Sequence, residues 1–286
     1  EDFSGKETRG LQGDDASHGG RVVGQVQAGA EPDLQDFAVH RHEGFPALLL
    51  EPPASHGPVH EVREHILRID THERQYSNCS GGLWYKHGSM TRIWCAISSH
   101  GFGHAAQMVP VLNELGRRVP GLTAILRTQV PARFFEGRLR IPWDLSPALQ
   151  DIGCVQRGPL AIDVEATWAA HLRFHADWER KVAAEAQAIR ACEPALVLSD
   201  ISYLAIEAGA GAKTPAVGLC NLTWDGILAM LLESDSRERL QLIERVRQSY
   251  RLAELMLRIA PGMPMGAFRK IADVGPVAEL VASEAG

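Results

Sequence analysis

The arrangement of hydrophobic and polar residues changes near Met90. From Thr91 onward, short apolar runs alternate with longer segments in which apolar residues recur every three or four positions. Apolar runs of this length predict buried parallel strands, and the periodic segments predict amphipathic helices. Strands that alternate with helices form βαβ units around a parallel sheet. We therefore predict an α/β fold for residues 90–278.

The predicted elements follow one another with short connections. Pro131 is expected to open a short helix, and Gly116 to help end the first long one, because proline favours helix starts and glycine favours helix ends. The predicted strands are Arg92–Ser98, Leu122–Thr128, Ala195–Ser199 and Pro215–Cys220. The longer predicted helices cover residues 105–118, 164–190, 203–211, 224–232 and 236–259.

Residues 1–89 lack this regularity. They hold eight of the twelve histidines and many glycines, and only His60–Tyr76 has the spacing of an amphipathic helix. Such a composition is typical of loops or disorder. We expect this segment to be disordered or a non-native upstream extension. The alternative is a regulatory or metal-binding arm.

Composition excludes several classes of protein. The chain has 286 residues, 45% hydrophobic and 22% charged, which is ordinary for a soluble domain. A net charge of -6 argues against a general nucleic-acid binder, since phosphate neutralisation needs clustered Lys and Arg. No apolar segment approaches the ~20 residues of a transmembrane helix. The five scattered cysteines have no CxxC spacing, so we expect free thiols in a reducing cytoplasm.

The first candidate for chemistry is the glycine-rich loop Ser99–His104, between a predicted strand and a predicted helix. Backbone amides at such a turn face the carboxyl end of the sheet, where open α/β folds bind ligands. The spacing is not GxGxxG, which argues against a dinucleotide site. His100 and His104 suit general-base work, because imidazole titrates near neutral pH. The alternative is a structural turn with a helix-capping histidine.

Two further motifs follow predicted strands and therefore lie on the same edge of the sheet. Asp200 ends the run LVLSD and could fix the tautomer of a histidine, or simply cap the next helix. The motif Asn221–Asp225 (NLTWD) offers hydrogen bonds and the flat ring of Trp224 for a sugar or lipid-like acceptor. Its alternative is Thr223 as a helix cap with Trp224 in the core.

His171 and His175 lie one turn apart on the long predicted helix. A zinc site needs three or four ligands, and no third ligand accompanies this pair. We therefore predict no metal site and interpret both as partly exposed helix residues.

Four stretches in chain order resemble a known family: ISSHGFGHAAQMVPVLNEL, DIGCVQRGPLAID, LVLSD and NLTWD. Together they resemble the N-terminal, acceptor-side half of glycosyltransferases with the two-domain GT-B fold. The glycosyltransferase-like region of plant arabinokinases is the most similar in appearance. UDP-glucosyltransferases and the bacterial lipid-linked N-acetylglucosaminyltransferase are more distant. The resemblance covers about residues 91–278 and implies a Rossmann-like domain with a parallel β-sheet.

The resemblance also implies roles for particular residues. In small-molecule glucosyltransferases a histidine in the first βα loop deprotonates the acceptor hydroxyl, and a strand-end aspartate supports it. His104 and Asp200 match these positions, and Asp151 and Gly153 belong to a stretch that borders the same cleft. The residues expected to contact substrate are His100, Gly101, Gly103, Gln156, Asp163, Asn221, Thr223, Trp224 and Asp225.

In this fold a C-terminal Rossmann domain holds most of the nucleotide-sugar donor, and residues 90–278 amount to about one domain. We expect that donor domain to be missing from the chain, with Asp273–Val277 leading towards it, residues 279–286 starting the linker, and the chain inactive by itself. The implied function is the acceptor-binding half of an inverting glycosyltransferase that needs neither metal nor cofactor. The alternatives are a non-catalytic sugar-binding or regulatory module, and an inactive gene fragment, since fold alone does not decide chemistry.

Overall fold

The computed structural model describes residues 91–278, except for residues 159, 234 and 235. The expectations for residues 1–89, including the helix His60–Tyr76, and for the linker at 279–286 lie outside the described residues. Within the described part, no helix is long and apolar enough to cross a membrane.

Nine strands and seven helices make up the described part. The strands are β1 (Arg92–Ile97), β2 (Thr123–Arg127), β3 (Trp143–Leu145), β4 (Gln156–Gly158), β5 (Ala161–Ile162), β6 (Leu196–Asp200), β7 (Ala216–Cys220), β8 (Leu255–Ile259) and β9 (Ile271–Val274). The helices are α1 (Gly103–Arg118), α2 (Ala132–Phe135), α3 (Val164–His175), α4 (Trp178–Cys192), α5 (Tyr203–Ala212), α6 (Trp224–Met230) and α7 (Arg237–Tyr250).

Seven strands form one parallel sheet in the order β3-β2-β1-β6-β7-β8-β9. β4 and β5 form a separate antiparallel pair. The chain proceeds from β1 towards β2 and β3, and from β6 in the opposite direction towards β9. β1 and β6 are therefore the neighbours at which the strand order reverses. The predicted Rossmann-like α/β architecture is confirmed.

Alternate residues of each central strand enter one of two hydrophobic cores. Ile93, Cys95 and Ile97 of β1 contribute to a core on the α1 side of the sheet. Trp94 and Ala96 contribute to the other core, which helices α3 to α7 cover. Both faces are buried, which explains why the strands are continuous apolar runs in the sequence.

The helix predicted over residues 164–190 is wrong in its continuity, since it is two helices, α3 and α4. Asp177 interrupts it with a non-helical backbone (φ -120°, ψ 44°), and its carbonyl accepts the hydrogen bond from Lys181 N at 3.0 Å, in the first turn of α4. Burial of Phe174 and Trp178 continues across the break. The apolar pattern therefore shows no sign of the interruption.

Gly116 does not help to end α1, which continues to Arg118. A Cβ atom at this position would overlap the side chain of Ile141, so the glycine allows close packing rather than a helix end. Arg117 and Arg118 both bind Glu114 and support the last turn.

The helix predicted over residues 236–259 is also wrong at its end. α7 stops at Tyr250, and Leu255–Ile259 is strand β8, paired with β7 and β9. A short apolar run fits a buried strand or a helix turn equally well in sequence, and only the partner strands decide. Strand β9 likewise takes up Asp273 and Val274, the start of the stretch expected to lead towards a second domain.

Candidate active site

The candidate site lies where the carboxyl ends of β1 and β6 meet. Ile97 of β1 pairs with Asp200 of β6, and Ser98 N donates to the carbonyl oxygen of Asp200 at 2.7 Å. The connections that leave these two strands run in opposite directions, which is the arrangement at which open α/β folds have a crevice. Open α/β sheets bind their ligands at this kind of position.

His104 and Asp200 meet at this crevice. Residues 196, 198 and 200 share one face of β6, and Leu196 and Leu198 belong to the core on the α1 side. His104 is the second residue of α1, so the two side chains face each other. The distance from His104 Nδ1 to Asp200 Oδ1 is 2.9 Å, and the residues are 7% and 0% exposed. The contact predicted from the sequence is confirmed.

The field of the site favours a charged imidazole. Burial by itself lowers the pKa of His104, but the charge and hydrogen bond of Asp200, with a contribution from Asp151, outweigh it and raise the pKa above its usual value. Since Nδ1 faces Asp200, Nε2 is the ring nitrogen that has no hydrogen-bond partner among the described residues. The pKa of His100 is lowered by burial and by the nearby His104.

The glycine-rich loop is exposed to solvent at its two glycines. Gly101 has φ of 77°, a conformation that glycine adopts without strain, and both Gly101 and Gly103 are exposed. A Cβ atom at either position would contact nothing within 4 Å. Phe102, the N-cap residue of α1, supplies no side-chain cap. The capping-histidine alternative therefore does not describe this loop, because His104 binds Asp200 instead.

Asp151 is a second buried carboxylate beside the dyad, at 2% exposure. Its Oδ1 accepts from Ser98 Oγ and its Oδ2 from Trp224 Nε1, both at 2.8 Å. Burial outweighs these two bonds and raises the pKa of Asp151 to about 6. The sequence placed Asp151 only within a stretch bordering the cleft, and an acidic residue within the apolar run LQDIGCV was the available signal.

The motif Asn221–Asp225 is turned inward apart from its first two residues. Thr223 Oγ1 accepts from Gly226 N and caps α6, and Trp224 is 2% exposed. Asp225 is also buried, and it binds Arg247. The alternative of a helix cap with a core tryptophan describes the structure, so the expectation of an open Trp224 ring for an acceptor is corrected. Asn221 remains half-buried at the end of β7.

Gln156 lies on strand β4 of the β4–β5 hairpin, and Asp163 follows the end of β5. Gln156 is exposed. Asp163 caps α3 by accepting from Ala166 N, and it also pairs with Arg157 at 2.7 Å. These bonds lower the pKa of Asp163. No described contact joins either residue to the His104–Asp200 dyad.

His171 is not a partly exposed helix residue, which corrects the prediction for it. It is 0% exposed, and its Nε2 lies 2.9 Å from the carbonyl oxygen of Gly153. Burial lowers the pKa of His171 to about 4. His175 stacks on both Trp178 and Tyr203, with ring centroids 4.7 and 5.4 Å away, and these two rings also contact each other.

Among the described residues, His104, Asp200 and Cys220 form one group whose ligand atoms lie within 4.8 Å of one another. Nitrogen, oxygen and sulfur donors are compatible with Zn²⁺. Burial raises the pKa of the Cys220 thiol well above its usual value, which disfavours the thiolate that binds metals. That the reaction needs no metal ion stays a prediction. All four cysteines in the described part are free.

Comparison with known proteins gives one sequence relative and a set of solved structures, whereas no family model matches. The chain is similar to L-arabinokinase of Arabidopsis thaliana, with 26% identity over 180 residues, 62% of this chain and 17% of that protein. It therefore spans about one sixth of the length of this relative.

The similar solved structures include UDP-glycosyltransferases. One is a Polygonum tinctorium UDP-glucosyltransferase that glucosylates indoxyl, in complex with 3,4-dichloroaniline (TM-score 0.44, 12% identity, 69% of this chain and 55% of that chain). Another is Arabidopsis thaliana UGT89C1 complexed with quercetin (TM-score 0.41, 12% identity, 68% and 52%).

Proposed function

We propose that this chain is the acceptor-side half of an inverting, metal-independent glycosyltransferase, which transfers a sugar from a nucleotide-sugar donor to a hydroxyl group. The observation that carries the proposal is the His104–Asp200 contact at the crevice between β1 and β6. A histidine held by a buried carboxylate through one ring nitrogen presents the other as a general base.

In the proposed reaction His104 Nε2 removes the proton from the acceptor hydroxyl as its oxygen attacks the anomeric carbon of the donor. The bond from that carbon to the phosphate oxygen breaks on the opposite side, so the configuration inverts, and the nucleoside diphosphate leaves with the electron pair. Asp200 keeps the proton on Nδ1 and stabilises the imidazolium that forms. A hydroxyl is a poor nucleophile at neutral pH, so such a base contributes about 10²–10⁴-fold.

In this proposal the donor nucleotide binds to a second Rossmann-like domain, on the side of the exposed residues Gly101 and Gly103. The described residues contain a single parallel sheet, and the proposed base lies on the helix that follows its strand β1. Bringing donor and acceptor together in the correct geometry supplies about 7–11 kcal/mol of barrier reduction. The proposal therefore expects no turnover from residues 91–278 alone.

The test uses the full-length protein, which in this proposal includes the second Rossmann-like domain, and a panel of nucleotide sugars starting with UDP-glucose. L-Arabinose is the first acceptor to examine, because the sequence relative is an L-arabinokinase. We expect His104→Ala to lower kcat by about 10²–10⁴-fold. Asp200→Asn is expected to lower it less, because it disturbs the tautomer but leaves the base in place.

Asp144→Asn is the matched control, since Asp144 is an exposed carboxylate on the short strand β3. Turnover by His104→Ala within threefold of the wild-type rate would contradict the proposal. Chelator-resistant turnover supports the metal-independent mechanism, and turnover that requires added Zn²⁺ contradicts it.

The second candidate is a non-catalytic sugar-binding module. The 7% exposure of His104 favours it, because a largely buried side chain is poorly accessible to an acceptor hydroxyl. This candidate predicts that the wild-type protein binds a sugar or nucleotide sugar in calorimetry but shows no turnover with any member of the panel.

A further inference from the structure

The chain between β3 and the β4–β5 hairpin is buried at Gln150, Asp151 and Gly153, next to the candidate site. We call residues 150–154 the buried connector. Gln150 and Asp151 are 0% and 2% exposed. The side chain and the carbonyl of Gln150 both accept from Ser202 Oγ at 3.0 Å, and Ser202 is the N-cap residue of α5, shortly after β6. The connector is thereby fixed to the strand that carries Asp200.

Asp151 joins two other elements to the connector. Ser98, which donates to it, is the first residue after β1, and Trp224, which also donates to it, is the first residue of α6. The Trp224 ring then contacts both histidines of the loop, with ring centroids 5.8 Å from His100 and 6.3 Å from His104. Asp151 is therefore bonded through one oxygen to the residue that follows β1 and through the other to a ring that contacts His104.

The same connector limits the position of His100. The Ser98 hydroxyl that donates to Asp151 also accepts from His100 N at 3.3 Å. Gly153 has φ of 65°, and a Cβ atom there would overlap the His100 ring. The loop that leads into α1 is thus held from below by a carboxylate and by a glycine contact.

Four titratable groups face His104. They are Asp200 at the end of β6, Asp151 on the connector, Cys220 at the end of β7 and His100 on its own loop. Cys220 is a buried, protonated thiol with Sγ 3.9 Å from Nδ1, so it adds no charge. Asp200 and Asp151 are therefore the two sources of negative charge in this set.

We propose that Asp151 is a positioning residue for the base, which holds the His100–His104 loop through Ser98 and Trp224 and supplies a second negative charge behind His104. The inference rests on the proposed function for its catalytic meaning, but its physical content concerns His104 alone. Without the second charge, His104 keeps its contact with Asp200 and loses part of its proton affinity.

The direct test is an NMR titration of the His104 ring in the full-length protein. Asp151→Asn keeps an acceptor for Trp224 and a donor for Ser98, and it removes the charge. We expect the pKa of His104 to fall by about 0.5, a roughly threefold change in its protonation constant. Glu207→Gln is the control, because Glu207 is a largely buried carboxylate that binds Trp178, Ser249 and Arg245 and does not contribute to the pKa shift of His104.

An unchanged His104 pKa in a folded Asp151→Asn protein overturns the inference. In an active enzyme the acidic limb of the kcat/KM profile must move to lower pH together with the NMR value, and a profile that stays in place also overturns it. The wild-type protein could show no turnover while Asp151→Asn still lowers the pKa of His104. This result supports the coupling of Asp151 to His104 and contradicts only the proposed function.

If Asp151→Asn does not fold, Ser98→Ala replaces it. This variant removes one donor to Asp151, which raises the pKa of that carboxyl above the wild-type value of about 6. The part of the His104 titration curve that reflects the ionisation of Asp151 then moves to higher pH. If this part of the curve stays in place, the inference is overturned.

Discussion

The two faces of the sheet are built from different kinds of side chain. The core on the α1 side is almost entirely aliphatic, with Phe135 as its one fully buried aromatic among the described residues. The core under helices α3 to α7 holds most of the aromatic side chains, namely Trp94, Trp168, Phe174, Trp178, Tyr203, Trp224, Tyr250 and Phe268.

The aromatic face differs in having polar ends that reach across elements. Trp94 donates to Glu185, Trp178 to Glu207 and Trp224 to Asp151, while the Tyr250 hydroxyl donates to the carbonyl oxygen of Ile201. A tryptophan or tyrosine fills the core with its ring and still needs a partner for its N–H or O–H. The aliphatic face therefore supplies stability, whereas the aromatic face supplies stability and also connects buried polar groups to the site.

The largest effect that the comparison predicts is on the aliphatic face. Leu112→Ala removes a fully buried side chain of α1 and leaves a cavity, so we expect the free energy of unfolding to fall by about 2–5 kcal/mol. The pKa of His104 is expected to stay unchanged, because no polar contact is lost. Denaturant unfolding and an NMR titration measure the two quantities.

Leu240→Ala on the exposed side of α7 is the control, with Leu240 at 44% exposure and an expected change within about 0.5 kcal/mol. If Leu112→Ala lowers the free energy of unfolding by less than about 1 kcal/mol, or shifts the pKa of His104, the two faces do not have these separate roles.

An intermediate effect is expected from Asp151 as the pH changes. Its folded pKa of about 6 lies above the usual value of 3.8, so the folded state binds this proton more tightly than the unfolded chain. That contribution is fully present below about pH 4 and is lost as the pH rises through 6. Relative to Asp151→Asn, the wild-type free energy of unfolding should therefore decrease by up to about 3 kcal/mol over this interval.

Chemical denaturation of both proteins from pH 4 to pH 7 measures the difference. Two stability curves that remain parallel across the interval would contradict a raised Asp151 pKa.

The smallest effect separates a structural role from a binding role for Thr223. Thr223→Ala removes the side chain that caps α6 and should cost about 1 kcal/mol of stability, whereas Thr223→Ser keeps the hydroxyl and should cost less. Acceptor affinity, measured by calorimetry, should be the same for both variants. A weaker affinity for Thr223→Ala alone would restore Thr223 as a substrate contact.

The sequence by itself determined the α/β class and most of the element positions. β1, β6 and β7 are continuous apolar runs because both faces of the sheet are covered, and such runs are recognisable without any partner. The chain order of strand, loop and helix also placed His104 and Asp200 on one rim of the sheet, and their contact at 2.9 Å followed.

The strand status of Leu255–Ile259, the burial of Trp224 and the position of Asp151 depend on how separate elements pack. β8 is a strand because β7 and β9 pair with it, and β7 is distant from it in sequence. Trp224 and Asp151 are 73 positions apart and become hydrogen-bonded partners only when the buried connector passes beneath α6. Periodicity reports which residues are apolar along one element, whereas the partner of a buried polar atom depends on how separate elements pack, and that information is not local.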